Sequence, residues 1–276
     1  MTGPRPPSAA VLLLHGGAET GLAPPPPGPL NLPAVRMFPF ARAIASATGG
    51  PAADVLVRTA RYAHRGWNGS REDPLHDAVR ALDALRREAG EEVPVVLVGH
   101  SMGARAALRA AGHPLVRAVV GLAPWCPADD PVGQLAGRDV VLLHSTRDRI
   151  TSPRASQDLT ARARRAGART CLVAIRGSDH AMLRRAGTWH ALTGRIVTGL
   201  LDLGPLPGRV EAALRLPPDA PGTRGTLDLD RLDRLDRPDP PVRPDPPVRP
   251  ERPAGPEHRL HPVHPDPPVR PVRPEG

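Results

Sequence analysis

Between residues 9 and 203, short apolar runs alternate with longer amphipathic stretches. The runs cover 9–14, 54–58, 93–99, 116–122, 140–145 and 170–176, and each is nearly continuous in Val, Leu, Ile or Ala. Apolar runs of this length, without strict alternation, predict parallel strands covered on both faces. Helix-length stretches lie between and after them, at 34–48, 74–89, 102–111, 153–166 and 188–203. Pro74 and Pro153 suit a first helical turn, where a missing N–H costs nothing, and Gly90 and Gly167 stand where a terminating glycine belongs. Alternating β and α over ~200 residues predicts one doubly wound α/β domain with right-handed crossovers.

The pattern stops after Gly204. Of 38 prolines, 19 fall from position 206 onward, where Asp-Pro-Pro-Val-Arg-Pro occurs at 239–244, 245–250 and 266–271. Such sequence buries too little apolar surface to offset its ordering entropy, so the expected division is a folded domain over 1–205 and a disordered low-complexity tail over 206–276. As docking motifs, the Pro-Val-Arg-Pro repeats suit an aromatic-lined groove on a partner; as neutral low-complexity sequence they need none.

Charge and composition narrow the function classes. All 37 basic residues are Arg and the net charge is +9, which lies entirely before position 206 because the tail is neutral. A basic domain attracts nucleic acid. Here the densest cluster, Arg162, Arg164, Arg165 and Arg169, reads as a solvated helical face, and only 2% aromatic residues leave little for bases to stack on. Nucleic-acid binding is therefore not expected. No apolar run reaches the ~20 residues of a membrane-spanning helix, and the first is too short for a secretory signal, which points to a cytoplasmic protein. Cys126 and Cys171 cannot form a disulfide framework, and no Cys/His set has zinc spacing, so neither a metal nor a cofactor is expected.

The third run ends in chemically loaded sequence, Val98-Gly99-His100-Ser101-Met102-Gly103-Ala104. Gly-x-Ser-x-Gly between a strand and a helix puts the serine on a sharp turn with its hydroxyl above the sheet. Glycines at 99 and 103 leave room for close backbone, and the helix N-terminus brings free N–H groups, among them that of Met102, beside the hydroxyl.

Over residues 9–203 the chain resembles the α/β-hydrolases, in particular the small esterase and dienelactone-hydrolase-like members without a large cap. The resemblance rests on three features: His15-Gly16-Gly17 after the first strand, the Gly99–Gly103 motif, and an Asp and a His in the chain order Ser…Asp…His. Only eight residues precede the first strand, too few for the family's N-terminal hairpin, so it implies a mostly parallel sheet of about six strands in the order 2-1-3-4-5-6. It implies Ser101 as nucleophile and His180, after the last strand, as general base and acid. His64, His76, His113 and His190 read as structural, and His100 as pointing away from substrate. Asp148, after the preceding strand, is implied as the carboxylate orienting His180, with Asp129 or Asp130 as second choice and Asp179 as a decoy. The Gly17 and Met102 amides are the implied oxyanion donors.

Only sixteen residues, 123–138, separate two strands where lids usually enter this fold, too few for a cap domain. The loop at 18–33 carries four consecutive prolines and reads as a stiff rim. An open pocket follows, with Trp125 as a wall and His15 bracing the oxyanion loop beside it. These residues suit a serine hydrolase of carboxylesterase type, acting on a small carboxylic ester or thioester. The alternatives are a short-peptide peptidase, or a non-catalytic scaffold that recruits a partner through its tail.

Overall fold

The computed structural model describes residues 7–49 and 54–230. In chain order they form β1 (Ala9–Leu14), α1 (Leu32–Ala47), β2 (Val55–Thr59), α2 (Asp73–Ala89), β3 (Val95–His100), α3 (Met102–Ala110), β4 (Val116–Leu122), β5 (Asp139–Ser145), α4 (Pro153–Arg165), β6 (Arg169–Ile175), α5 (Ala186–Leu200), α6 (Gly208–Leu214) and β7 (Thr226–Asp228). The helix starts follow their sequence signals. Asn31 caps α1 and Ser152 caps α4 through side-chain oxygens that accept from Ala34 N and Ala155 N, each at 3.3 Å, and α1, α2 and α4 all carry Pro in the first turn.

The strands form one parallel sheet in the order β2-β1-β3-β4-β5-β6-β7. Successive side chains point to opposite faces, and both faces are covered. Leu12, Leu97 and Leu142 join the core under α2, α3 and α4, whereas Leu13, Val98 and Val141 join the core under α1, α5 and α6. Each such side chain contributes roughly 1.5–3 kcal/mol on burial, which accounts for strands that are apolar without alternation. The winding reverses at β1, which pairs with β2 on one side and β3 on the other, with Leu14 opposite Gly99. Ligands of open α/β sheets bind at such a switch point, beyond the carboxyl ends of the strands.

The expected boundary at 205 is corrected: the folded part continues past it to the end of the described residues, and a short seventh strand joins the roughly six expected. On α6, Val210, Ala213 and Leu214 repeat at helical spacing and are buried with Leu229 in the second core. β7 then pairs with β6, Leu227 opposite Val173. Arg164 is also not part of a solvated face. It is 2% exposed and donates to the carbonyls of Thr170 (2.9 Å) and Ala220 (3.5 Å), tying the extra segment to α4 and β6. The proline repeats fall within 231–276 and lie outside the described residues. No helix among the described residues is long and apolar enough to cross a membrane.

Candidate active site

The turn from β3 into α3 holds Ser101 at φ 54°, ψ −116°, a backbone region that costs a non-glycine residue on the order of 1–3 kcal/mol. The neighbouring glycines make the turn possible. A Cβ on Gly99 would lie 2.4 Å from the Gly103 carbonyl oxygen, and one on Gly103 would lie 2.3 Å from the carbonyl oxygen of Leu14. Gly103 thus lets α3 settle directly on the end of β1, which brings the 15–17 loop beside Ser101. A Cβ on Gly17 would meet the Met102 side chain at 2.4 Å, so these two residues are in close contact. Neither the Gly17 nor the Met102 amide is committed to a hydrogen bond among the described residues.

Ser101, His180 and Asp148 come together from the loops after β3, β6 and β5. The Ser101 Oγ lies 3.1 Å from His180 Nε2, and His180 Nδ1 lies 2.8 Å from Asp148 Oδ2. An ionised carboxylate only accepts, so Nδ1 carries the ring hydrogen and Nε2 presents a lone pair to the serine hydroxyl. The Asp148 side chain has no exposed surface, and that of His180 is 17% exposed. Burial alone would raise the Asp148 pKa. Hydrogen bonds from His144, His180 and the amides of Thr151 and Ile150 outweigh it and hold the carboxyl well below the usual carboxylate range.

The loop that carries His180 is tied at two points. His100 Nε2 donates to the His180 carbonyl at 3.0 Å, and Arg36 of α1 donates to the Ala181 carbonyl at 2.9 Å. His100 therefore points to the base loop. Its Nδ1 is buried without a partner, and burial, with His180 nearby, pushes its pKa down to about 3, so the ring is neutral.

The rival carboxylates lie elsewhere. Asp179 accepts from the Leu183 and Arg184 amides, both at 3.2 Å, and so serves its own loop. Asp130 is paired with Arg105 through two bonds of 2.7 Å. Asp129 is exposed on the rim of a groove.

The two expected pocket residues occupy separate hollows. Trp125 borders a groove of about 410 Å3 with Trp67 and Glu19, and the Arg105 guanidinium sits over both indoles, 4.0 Å from the Trp67 ring centre and 4.4 Å from that of Trp125. The Arg105 guanidinium thus covers one face of Trp125 within that groove. His15 is buried, with Nδ1 2.6 Å from the Gly16 carbonyl and its ring against Tyr62, and burial lowers its pKa. It lines a cavity of about 820 Å3 beneath the prolines at 24–27.

Three residues around Asp148 were not singled out by the sequence pattern. Thr151 Oγ1 is 3.1 Å from Asp148 Oδ2 and 3.2 Å from His180 Nδ1, and His144 and Ser156 continue the network inward. The available signal was a histidine within an otherwise apolar strand, four residues before the Asp.

No family model matches the sequence, and no curated protein matches it. Solved structures do resemble the fold. Est1E from Butyrivibrio proteoclasticus aligns at a TM-score of 0.51 with 12% identity, over 70% of this chain and 88% of that one. A Pyrobaculum calidifontis esterase aligns at 0.53 with 14% identity, over 74% and 79%. A protein of unknown function from Agrobacterium tumefaciens, provisionally described as an α/β hydrolase, aligns at 0.55 with 14% identity, over 73% and 89%. With its parallel seven-stranded sheet and the serine turn at the switch point, the chain has the fold of the α/β-hydrolase superfamily.

Proposed function

We propose that the chain is a serine hydrolase that cleaves a small carboxylic ester or thioester through an acyl-Ser101 intermediate. The observation that carries this reading is the continuous hydrogen-bond chain Ser101–His180–Asp148, at 3.1 and 2.8 Å, on a strained strand-to-helix turn. His180 Nε2 takes the Ser101 proton as Oγ attacks the acyl carbon. The oxyanion so formed accepts hydrogen bonds from the Gly17 and Met102 amides, each worth roughly 3 kcal/mol in such a site. Collapse breaks the bond to the leaving oxygen or sulfur, which receives the proton from His180. Water then repeats the sequence, giving its proton to His180 and its oxygen to the acyl carbon, and Ser101 is regenerated. Asp148 holds the productive tautomer and stabilises the imidazolium. Esterases among the similarly folded structures support a hydrolase reading.

The test is labelling by a fluorophosphonate probe together with turnover of a panel of p-nitrophenyl esters of graded acyl length. Labelling at Ser101 and hydrolysis of the short esters are expected. In Ser101→Ala, both are expected to vanish, with turnover below ~1% of the parent, because loss of a nucleophile costs several orders of magnitude. A parent chain that neither labels nor hydrolyses any ester overturns the proposal and favours the scaffold alternative.

A further inference from the structure

We infer that His144 and Ser156 are positioning residues that hold the Asp148 carboxylate in place; the inference rests on the Ser101–His180–Asp148 reading above. His144, next to last in β5, is a histidine in an apolar strand and only 1% exposed, and Ser156 on α4 is completely buried. Both ring nitrogens of His144 have partners. Nε2 is 3.1 Å from Asp148 Oδ2, and Nδ1 is 2.7 Å from Ser156 Oγ.

The chemistry of the partners orders the protons. Asp148 accepts only, so His144 carries its hydrogen on Nε2. The remaining lone pair on Nδ1 then accepts the Ser156 O–H. Asp148 thus sets the tautomer of His144, and the Ser156 hydroxyl, able to donate or accept, completes it at Nδ1.

Asp148 Oδ2 is the oxygen that faces His180, and it takes bonds from both imidazoles and from Thr151 Oγ1, while Oδ1 takes the amides of Ile150 and Thr151. Every direction around the carboxylate is filled, so its orientation toward His180 is set by the protein and not by water. The His144 donor also draws charge from Oδ2. Without it, the carboxylate keeps more charge on the oxygen that faces His180 and attracts the imidazolium more strongly. Other titratable or charged groups near this network among the described residues include His100, whose ring centre is 5.0 Å from that of His180, Arg36 of α1, which bonds the His180 loop, and the Cys126 thiol 3.9 Å from Ser156 Oγ.

The experiment has two readouts. In the first, ¹⁵N-histidine NMR of the full chain reads ring tautomers without reference to activity. His144 is expected in the Nε2–H form, with the assignment made by loss of its signals in His144→Gln; the Nδ1–H form overturns the inference whether or not the protein hydrolyses esters. In the second, p-nitrophenyl acetate turnover is followed against pH per probe-titrated Ser101. His144→Phe is expected to lower kcat about tenfold with KM nearly constant, the scale on which outer hydrogen-bond partners of functional histidines act. The ascending limb is expected to move up by about half a pH unit or more, His144→Gln to restore most of it, and Ser156→Ala to move it the same way by less. An unmoved limb in folded His144→Phe and Ser156→Ala means that the pair only fills space. A parent chain with no turnover removes the proposed function and leaves the tautomer to decide this inference.

Discussion

The residue before the candidate nucleophile holds the loop of the candidate base: His100 Nε2 donates to the His180 carbonyl at 3.0 Å, across 80 positions of sequence. This geometry needs a neutral His100 buried against the turn, and it makes stability depend on pH. An unfolded His takes up a proton near pH 6.5, whereas folded His100 resists until about 3. The unfolded state therefore binds more protons, and stability falls as pH drops from 6.5 toward 3. His15, also lowered by burial, acts with the same sign. Thermal melts between pH 7 and 4 should show a decline that is shallower in His100→Gln. Equal slopes would refute the assignment.

Asp148→Asn should keep the fold and disturb the His180 tautomer, lowering kcat by roughly 10³–10⁴-fold near neutral pH. Asp179→Asn and the paired change of Asp129 and Asp130 should lower kcat about tenfold or less, since none of these carboxylates meets the His180 ring; the paired change should also lower stability, because it breaks the buried Asp130–Arg105 pair. Asp148 has linkage of the same sign as His100, at lower pH. Its depressed pKa gives stability that is present above the unfolded value near 3.8 and lost as pH falls below it. An active Asp148→Asn beside a crippled Asp129/Asp130 variant would move the acid to the β4 loop.

At Gly103 the added methyl of Gly103→Ala would meet two backbone oxygens, Leu14 O at 2.3 Å and His15 O at 2.4 Å, neither of which can swing aside. Pushing α3 off the 15–17 loop should cost roughly 1–3 kcal/mol and lower activity by spreading the oxyanion donors. Gly133→Ala, where a Cβ meets nothing within 4 Å, is the control and should be silent in both denaturation and turnover. Wild-type stability in Gly103→Ala would show that the two elements have slack.

Ending the chain after residue 205 removes α6 and β7 and exposes the core that Val210, Leu214 and Leu229 cover. At roughly 1.5–3 kcal/mol per large side chain, the melting temperature should fall by about 10 °C or more. Ending it after residue 230 keeps those contacts. Equal melting temperatures for the two truncations would mean that the 206–230 segment adds little.

Legibility in the sequence followed how densely the physical signal was packed. The six longer strands could be read because burial on both faces demands unbroken apolar runs, and the serine turn because it requires Gly99 and Gly103; the strand order came from the resemblance to the α/β-hydrolases. α6 and β7 escaped because their anchoring rests on a few apolar residues among Pro207, Pro217, Pro218 and Pro221, in a stretch of balanced charge. Chain order pointed to Ser101, His180 and Asp148, which the fold brings together. The inner partners His144, Thr151 and Ser156 answer to geometry around a buried carboxylate, and no spacing rule encodes that. The stacking of Arg105 on Trp125 likewise depends on loops that pattern alone does not place.

Because Ser101, Asp148 and His180 follow β3, β5 and β6, with the histidine 79 positions after the serine, no short stretch of the chain contains the candidate site. Pairings of such long range form late in folding, after helices and local turns. Reactivity toward a fluorophosphonate then becomes a clock for the slowest part of assembly. During refolding it should lag behind the return of helical circular dichroism, and it should stay absent from any nascent chain that has not yet docked β6.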